Sequence, residues 1–214
     1  MKEYRYVLFD LDGTLTDPFE GITNSVRYAL AKARITAENS ELACFIGPPL
    51  KESFMKYYGF SDSEAEKMIE TYREYFSVDG MFENKVYGGI EQLLGSLCAN
   101  GKTLVVATSK PEVFSKRILD YFGLTKYFTF IAGSNLDGTR VKKGEVISYA
   151  LENAGITQKD AVIMVGDRHH DVDGANENGI DSIGVLYGYG NRAELEAAGA
   201  TYIAETVEDL QNLL

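Results

Sequence analysis

The chain contains few of the residues that build disulfide frameworks and zinc sites. Its 214 residues include two cysteines, two histidines, four prolines and no tryptophan. Neither Cys44 nor Cys98 has neighbours at a metal-ligand spacing, so we expect buried free thiols in a reducing compartment, with a disulfide as the alternative. Cations are also scarce: 21 lysines and arginines stand against 32 acidic residues. The resulting net charge of −11 disfavours nucleic acid and anionic membrane surfaces as partners.

Long hydrophobic runs are absent as well. No apolar stretch approaches the length that spans a bilayer, and the opening residues MKEYR lack the apolar segment of a signal peptide. We therefore expect a cytoplasmic protein with no membrane partner. An anionic substrate remains compatible with the acidic chain, because a metal ion and local cations can reverse the field inside a cleft.

What the chain does contain is apolar periodicity of two kinds. Residues 16–84 show helical spacing and no convincing strand, whereas apolar strands and helices alternate from Tyr87 onward. This pattern predicts an α/β fold with a doubly wound, mostly parallel, Rossmann-like sheet and an inserted small helical bundle. We expect residues 1–15 and 85–214 to form the core and residues 16–84 to form the helical insert.

An acidic turn follows the first predicted strand. Val7 to Phe9 form a continuously apolar run, which is typical of a buried parallel strand, and Asp10 and Asp12 follow it. Open α/β sheets bind their ligands at the carboxyl ends of strands. Two carboxylates so close repel one another, and a divalent cation or a shared proton would remove that cost.

Polar residues also follow the later strands. Thr108 and Ser109 come after the apolar run 103–107, and Pro111 begins the next predicted helix, where free N–H groups suit a phosphate oxygen. The run 161–165 is followed by Asp167 and, four residues later, by Asp171. Such oxygen ligands suit Mg²⁺ better than zinc.

Two segments carry a resemblance to a known family. DLDGTL at residues 10–15 and GDRHHD at residues 166–171 resemble motifs of the haloacid dehalogenase-like (HAD) phosphohydrolases. The resemblance implies that Asp10 is a nucleophile forming an aspartyl-phosphate and that Asp12 is the general acid and base. It also implies Mg²⁺ bound by Asp10, the backbone carbonyl of Asp12 and Asp167. Asp171 would support these ligands or hold Lys143.

The same resemblance implies a phosphate-binding set. Thr108 matches the family's Thr or Ser, and a family lysine precedes the helix before the acidic strand. Gly144 stands where the family usually has proline, which leaves both Lys142 and Lys143 open for that role. We assign Lys143 because its spacing to the apolar residues 146–147 and 150–151 fits better, and we hold Lys142 in reserve. The set expected to bind substrate is Thr108, Ser109, Lys143, Gly13 and Thr14.

A helical insert after the first strand is similar to the small cap of one HAD subgroup, which includes phosphoglycolate phosphatases, 5′-nucleotidases, β-phosphoglucomutases and dehalogenases. The expected function is hydrolysis of a small phosphorylated metabolite such as phosphoglycolate, a 5′-nucleotide or a sugar phosphate, by a monomer or homodimer. Arg27 and residues 46–49 are candidates for facing the leaving group, although turn chemistry and a solvated charge explain them equally well.

Three alternative functions would each require different features of the sequence. Dehalogenases lack the second acid, so Asp12 argues against that activity. A phosphosugar mutase keeps both acids but needs clustered cations in the cap, which the insert does not show. A non-catalytic phosphoacceptor or binding protein would also use a nucleophilic aspartate, but receiver domains are shorter and have no helical insert here.

Two other segments favour structural interpretations. Adjacent His169 and His170 do not readily share one ligand direction, and no cysteine or third histidine lies near, so exposed or helix-capping histidines are favoured. Residues 184–190 are rich in glycine but lack the ending of a P-loop, which favours a flexible loop that closes the core.

Overall fold

The structure is a computed structural model and describes residues 2–214. These residues form two compact units. The core unit comprises residues 2–17 and 86–214, and the helical unit comprises residues 18–85. The chain therefore leaves the core unit after Asp17 and returns to it at Val86.

The strands are numbered in chain order. They are β1 Tyr6–Phe9, β2 Thr16–Asp17, β3 Lys85–Val86, β4 Thr103–Pro111, β5 Phe130–Ser134, β6 Val162–Gly166, β7 Asp181–Val185 and β8 Tyr202–Ala204. The helices are α1 Phe19–Lys32, α2 Leu50–Tyr58, α3 Asp62–Tyr75, α4 Ile90–Ala99, α5 Glu112–Tyr121, α6 Lys143–Asn153, α7 His169–Asn178, α8 Arg192–Ala197 and α9 Val207–Leu213.

The core unit is built on a six-stranded sheet. Its strand order is β5-β4-β1-β6-β7-β8, and every strand pair in it is parallel. In the register, Leu8 of β1 lies between Val105 of β4 and Met164 of β6. The predicted doubly wound parallel sheet is confirmed, and its order brings the carboxyl ends of β4, β1 and β6 side by side.

The central strands are buried on both sides, which explains their continuous apolar runs. Leu8, Val105 and Met164 share one core cluster with Val146 and Ile147 of α6. Burying large aliphatic side chains stabilises the fold by roughly 1.5–3 kcal/mol each. This apolar packing holds the strand ends, and the polar side chains that follow them, in fixed positions.

The helical unit contains α1, α2 and α3, together with a further helical segment that the sequence did not reveal. Residues 39–45 form a 3₁₀ helix whose Phe45 packs edge-on against Phe54 of α2, with ring centroids 5.0 Å apart. Pro49 caps α2, and Ala65, Met68 and Tyr72 form the buried face of α3. The unit is thus a small helical bundle with an aromatic core.

The structure differs from the sequence-based expectations at two places. β4 continues to Pro111 rather than ending near residue 107, with an irregular register in between, so α5 begins only at Glu112. The thiols are free as expected, but Cys98 is exposed and Cys44 is half-buried, so the expectation that both are buried is wrong.

Across residues 2–214, every helix is too short or too polar to cross a bilayer.

Candidate active site

A tight turn after β1 presents the two predicted carboxylates. The Leu11 carbonyl accepts hydrogen bonds from the N–H groups of Leu15 and Thr16, at 2.9 and 3.0 Å, which folds the chain back on itself. Gly13 has a φ of +81°, and a Cβ there would overlap the Asp167 carboxylate. The sequence therefore needs glycine at this position both for the turn and for the close approach of Asp167.

Lys143 links the first strand end to the acidic loop. It is the first residue of α6 and only 6% exposed, and its Nζ lies 2.8 Å from Asp10 Oδ1 and 2.8 Å from Asp171 Oδ1. Burial lowers the pKa of Lys143, but the two carboxylates outweigh burial and hold that pKa above its ordinary value. Lys142 is exposed. Lys143 is thus a permanent buried cation between two acids.

Asp10 is further fixed by the backbone. The N–H of Leu11 donates to Asp10 Oδ1 at 2.7 Å, so Lys143 and Leu11 share this one oxygen. Within residues 2–214, no hydrogen bond to the second oxygen, Oδ2, is seen. One oxygen of Asp10 is therefore held in place, and the other is left for chemistry.

Asp167 follows β6 and is buried with one oxygen unsatisfied. The N–H of Tyr189 donates to Asp167 Oδ2 at 2.7 Å, whereas Oδ1 has no hydrogen-bond partner among the described residues. Burial, followed by the charges of Asp171 and Asp10, raises the pKa of Asp167 well above its ordinary value. A buried carboxylate oxygen without a donor is costly unless it binds a cation or a proton.

Three of the predicted carboxylates form one cluster. Asp10, Asp167 and Asp171 each offer an oxygen within 4.8 Å of the others, and all three residues are buried. Burial raises the pKa of Asp171 to about 6, against the opposing effect of Lys143. Lys143 supplies one positive charge for three acids, so the cluster fits a hard divalent cation with oxygen ligands.

Asp12 does not belong to that cluster. Its Oδ2 forms an ion pair with Nζ of Lys110, and its Oδ1 is buried without a partner among the described residues. Burial raises the pKa of Asp12, and the Lys110 charge opposes that rise. The sequence pattern did not assign Lys110 a site role, although this lysine follows directly on the predicted Thr108 and Ser109.

Thr108 and Ser109 lie within the irregular end of β4 rather than at a helix N-terminus. Thr108 is buried, and its Oγ1 accepts a hydrogen bond from the N–H of Lys110 at 3.3 Å. Ser109 is half-buried. Because α5 begins at Glu112, Thr108 and Ser109 precede the helix rather than forming its first turn, and their contact with a phosphate stays a prediction. The side chain of Thr108 still lies at the same sheet edge as Asp10.

A segment that we call the tyrosine loop, residues 186–190, covers Asp167 and the acidic turn. Tyr187 Oη donates to the Thr14 carbonyl at 3.1 Å, and Tyr189 Oη donates to Asp17 Oδ1. A Cβ on Gly188 would overlap the Gly13 carbonyl and Asp167. The loop therefore packs against the site. Alternating glycine and tyrosine was the signal in the sequence, but it did not reveal which residues the tyrosines contact.

The residues expected to face the leaving group lie in the helical unit. Arg27 of α1 donates to Asn24 Oδ1 at 3.0 Å and lines a cavity of about 520 Å³ that also contacts Tyr28, Arg34 and Tyr75. Ile46 is buried, and the turn after it leads into α2. A contact of these residues with a leaving group stays a prediction.

Comparisons with known proteins agree with the geometry of the core unit. The model of the haloacid dehalogenase-like hydrolase family matches residues 7–185. A 5′-nucleotidase from Pseudomonas aeruginosa is 46% identical over 212 residues, which cover 99% of this chain and 96% of that protein. The tyrosine-protein kinase PtkA of Mycobacterium tuberculosis is 40% identical over 211 residues, which cover 97% of this chain and 72% of that protein.

A solved structure extends the likeness to three dimensions. The crystal structure of a predicted phosphatase from Clostridium acetobutylicum superposes with a TM-score of 0.95 at 55% identity, covering 99% of this chain and 98% of that one. The family match includes the acidic turn, Lys143 and Asp167. From the motifs, the buried carboxylate cluster and these relatives together, the chain belongs to the haloacid dehalogenase-like hydrolases and is a phosphatase.

Proposed function

We propose that the protein is a cytoplasmic, Mg²⁺-dependent phosphatase that hydrolyses a small phosphomonoester through an aspartyl-phosphate on Asp10. One observation carries the proposal: Lys143 lies 2.8 Å from Asp10 Oδ1 and binds the same oxygen as the Leu11 N–H, which leaves Oδ2 for attack. Phosphoryl transfer depends mainly on positioning and charge neutralisation, and the site supplies both.

The proposed metal site consists of the carboxylates of Asp10 and Asp167 and the backbone carbonyl of Asp12. The unsatisfied Asp167 Oδ1 and the excess of acids over cations support this assignment. When bound, Mg²⁺ would neutralise these acids and the phosphate oxygens. Asp171 is close enough to contribute, but its contact with Lys143 suits it better to holding that lysine.

The covalent step uses Asp10 and Asp12. Asp10 Oδ2 forms a bond to phosphorus as the bond from phosphorus to the leaving oxygen breaks, and Asp12 gives its proton to that oxygen. Asp12 then takes a proton from the water that cleaves the aspartyl-phosphate. Burial raises the pKa of Asp12, which favours the protonated form that the first step needs.

The remaining polar groups would bind the phosphoryl oxygens. Lys143 Nζ and the Thr108 hydroxyl lie at the sheet edge beside Asp10, and the turn containing Gly13 and Thr14 follows it directly. Ser109 is the fifth member of the proposed set. These groups neutralise negative charge on the transferred phosphoryl group. Asp12 protonates the leaving group, so charge neutralisation and proton transfer involve different residues.

A 5′-nucleotide is the substrate that we propose first, because the relative named 5′-nucleotidase matches nearly the full length of this chain. Phosphoglycolate and sugar phosphates are the alternatives. A phosphosugar mutase would use the same two acids, and the product separates the two functions. Release of inorganic phosphate means hydrolysis, whereas an isomerised sugar phosphate means a mutase.

The test uses para-nitrophenyl phosphate with Mg²⁺, because its leaving group departs without a proton. Wild-type protein is expected to turn over, and Asp10→Asn is expected to lose all turnover. Asp12→Asn is expected to accumulate a covalent phosphoprotein, visible by intact-mass spectrometry, because the water step lacks its base. Asp160→Asn, at an exposed acid, is the control. Near-normal turnover by Asp10→Asn would show that another group is the nucleophile.

The same experiment addresses the other functions. Stable phosphorylation of wild-type Asp10 without turnover would favour a phosphoacceptor protein. The 40% identity to a protein named tyrosine-protein kinase supports one further arm, incubation with ATP and Mg²⁺. Phosphotyrosine in that arm, together with no phosphate release from monoesters, would replace the phosphatase proposal with a kinase.

A further inference from the structure

His169 and His170, the two histidines of the chain, begin α7 and lie close to Asp173, one turn further along that helix. His169 Nδ1 lies 2.9 Å from Asp173 Oδ2, and the rings of His169 and His170 are 3.8 Å apart between centroids. One nitrogen from each histidine and one oxygen of Asp173 all lie within 4.8 Å of one another. The sequence argued against a shared ligand direction for adjacent histidines, but the tilted rings bring their nitrogens together.

We propose that His169, His170 and Asp173 form a binding site for a transition-metal ion such as Zn²⁺, separate from the catalytic carboxylates. Zinc takes imidazole nitrogen and carboxylate oxygen at about 2.0–2.2 Å, and three protein ligands with a water complete a tetrahedron. Two ligands of a tetrahedral ion at these bond lengths lie about 3.4 Å apart, so His169 Nδ1 and Asp173 Oδ2, now 2.9 Å apart, need to separate only slightly to bind one ion. The ion would replace the proton that these two atoms share.

Donor chemistry separates this site from the catalytic one. Asp10, Asp167 and Asp171 offer oxygen only, which suits Mg²⁺, whereas two nitrogens and one oxygen suit the first-row transition metals. A Zn²⁺ ion should therefore bind the histidine site even when Mg²⁺ saturates the carboxylates.

The charges of Arg168 and Lys143 act against a positive charge at His170, and the Asp173 charge acts in its favour. Both cations are partly neutralised by their own partners. Arg168 is adjacent, but its Nε lies 2.8 Å from Glu194 Oε1, and Lys143 is paired with Asp10 and Asp171. The side chains of His169 and Asp173 are 40% and 51% exposed, so an ion can reach them from solvent.

The backbone of the site is also held in place. The N–H of His169 donates to Glu194 Oε1 at 3.0 Å, and the N–H of Arg168 donates to Asp171 Oδ2 at 3.1 Å. These bonds fix the backbone of His169, the first proposed ligand, and of Arg168, which precedes it. A preformed arrangement loses little conformational entropy when an ion binds.

The experiment measures Zn²⁺ binding by equilibrium dialysis in saturating Mg²⁺, together with the imidazole NMR signals. The chain has only two histidines, so those signals report directly on the site. We expect one retained Zn²⁺ and a shift of both imidazoles. His169→Gln and Asp173→Asn should each weaken binding at least about tenfold. Glu152→Gln, at an exposed acid of α6, should bind like wild type.

A further variant separates the two metal sites. Asp167→Asn removes a proposed Mg²⁺ ligand and should still bind Zn²⁺ at the histidines. Zn²⁺ that Mg²⁺ displaces, or that Asp167→Asn loses while His169→Gln retains it, would place the ion on the catalytic carboxylates and overturn the proposal. No retained Zn²⁺ in wild type would overturn it as well. These readouts do not depend on phosphatase activity.

Discussion

Lys110 and Asp12 form a buried ion pair, although 98 residues separate them in the chain. Their side chains are 6% and 13% exposed. Because Asp12 is the proposed general acid, its partner lies on the leaving-group side of the reaction. Burial raises the pKa of Asp12, which favours the protonated acid, and Lys110 opposes that rise.

Replacing Lys110 is expected to weaken both the fold and the reaction. Lys110→Gln leaves the buried Asp12 without this counter-charge, and breaking a buried pair in this way costs about 3–5 kcal/mol. We expect lower denaturant stability and a reduced kcat for substrates with poor leaving groups. Lys116→Gln removes an exposed pair with Glu112 and should change stability by no more than about 0.5 kcal/mol. Equal effects of the two variants would contradict a special role for the Lys110 pair.

The two adjacent lysines should behave very differently. Lys143→Gln removes the cation that contacts Asp10 and Asp171, so we expect turnover to fall at least about a thousandfold, as for loss of a charge that stabilises the transition state. Lys142 is exposed, and Lys142→Gln should keep near-normal kcat/KM. Steady-state kinetics on both variants make the comparison. The assignment reverses if Lys142→Gln shows the larger loss.

Tyr189 should affect metal binding rather than substrate binding. Tyr189→Phe removes the hydrogen bond to Asp17 but keeps the backbone N–H that binds Asp167. We expect a rise of a few-fold in the Mg²⁺ concentration needed for half-maximal activity, with little change in KM for the phosphomonoester. Tyr121→Phe, at an exposed ring, is the control. A change confined to KM would show that Tyr189 contacts the substrate instead.

A larger side chain at Gly188 tests the packing of the tyrosine loop. A Cβ there would overlap the Gly13 carbonyl and Asp167, so Gly188→Ala must displace the loop or the acid. We expect a stability loss of about 1–3 kcal/mol, typical of overpacking, and weaker Mg²⁺ activation. Denaturant unfolding with and without Mg²⁺ measures both effects. Wild-type behaviour would mean that the loop lies farther from Asp167.

Mg²⁺ should stabilise the protein more at neutral than at acidic pH. Burial raises the pKa of Asp171 to about 6, above the unfolded value of 3.8, so the folded state holds that proton more tightly. The associated stability is present at low pH and is lost as pH rises from about 4 to about 6. Mg²⁺ bound to the ionised acids of the cluster would stabilise the folded state at the pH where this contribution has been lost.

Thermal unfolding with and without Mg²⁺, at about pH 5 and about pH 7.5, checks this expectation. The relevant quantity is the change in melting temperature that Mg²⁺ causes at each pH. The melting temperature without Mg²⁺ is less informative, because burial lowers the pKa of His170 to about 4 and so changes stability with pH in the opposite sense to Asp171. Asp167→Asn should abolish most of the Mg²⁺ effect. A larger stabilisation at the acidic pH would contradict the carboxylate site.

The amino-acid sequence determined the fold class, the helical insert and the principal acids. Continuous apolar runs specify buried parallel strands, and the ligands of such sheets gather at the strand ends, so Asp10 and Asp167 could be expected at one edge. These features depend on local pattern, which the chain carries in order. The role of Lys143 was expected only from the resemblance to the HAD family, which implies a lysine just before this helix.

Tertiary structure alone decided which side chains touch. The strand order β4-β1-β6 brings Lys110 to Asp12, and the return of the chain after β7 brings Tyr189 to Asp167 and Asp17. Such contacts join residues far apart in sequence, and their distances depend on the register of strands and on an irregular end of β4 that no local pattern specifies. Even the neighbours His169 and His170 needed the packing of α7 to direct their rings toward Asp173.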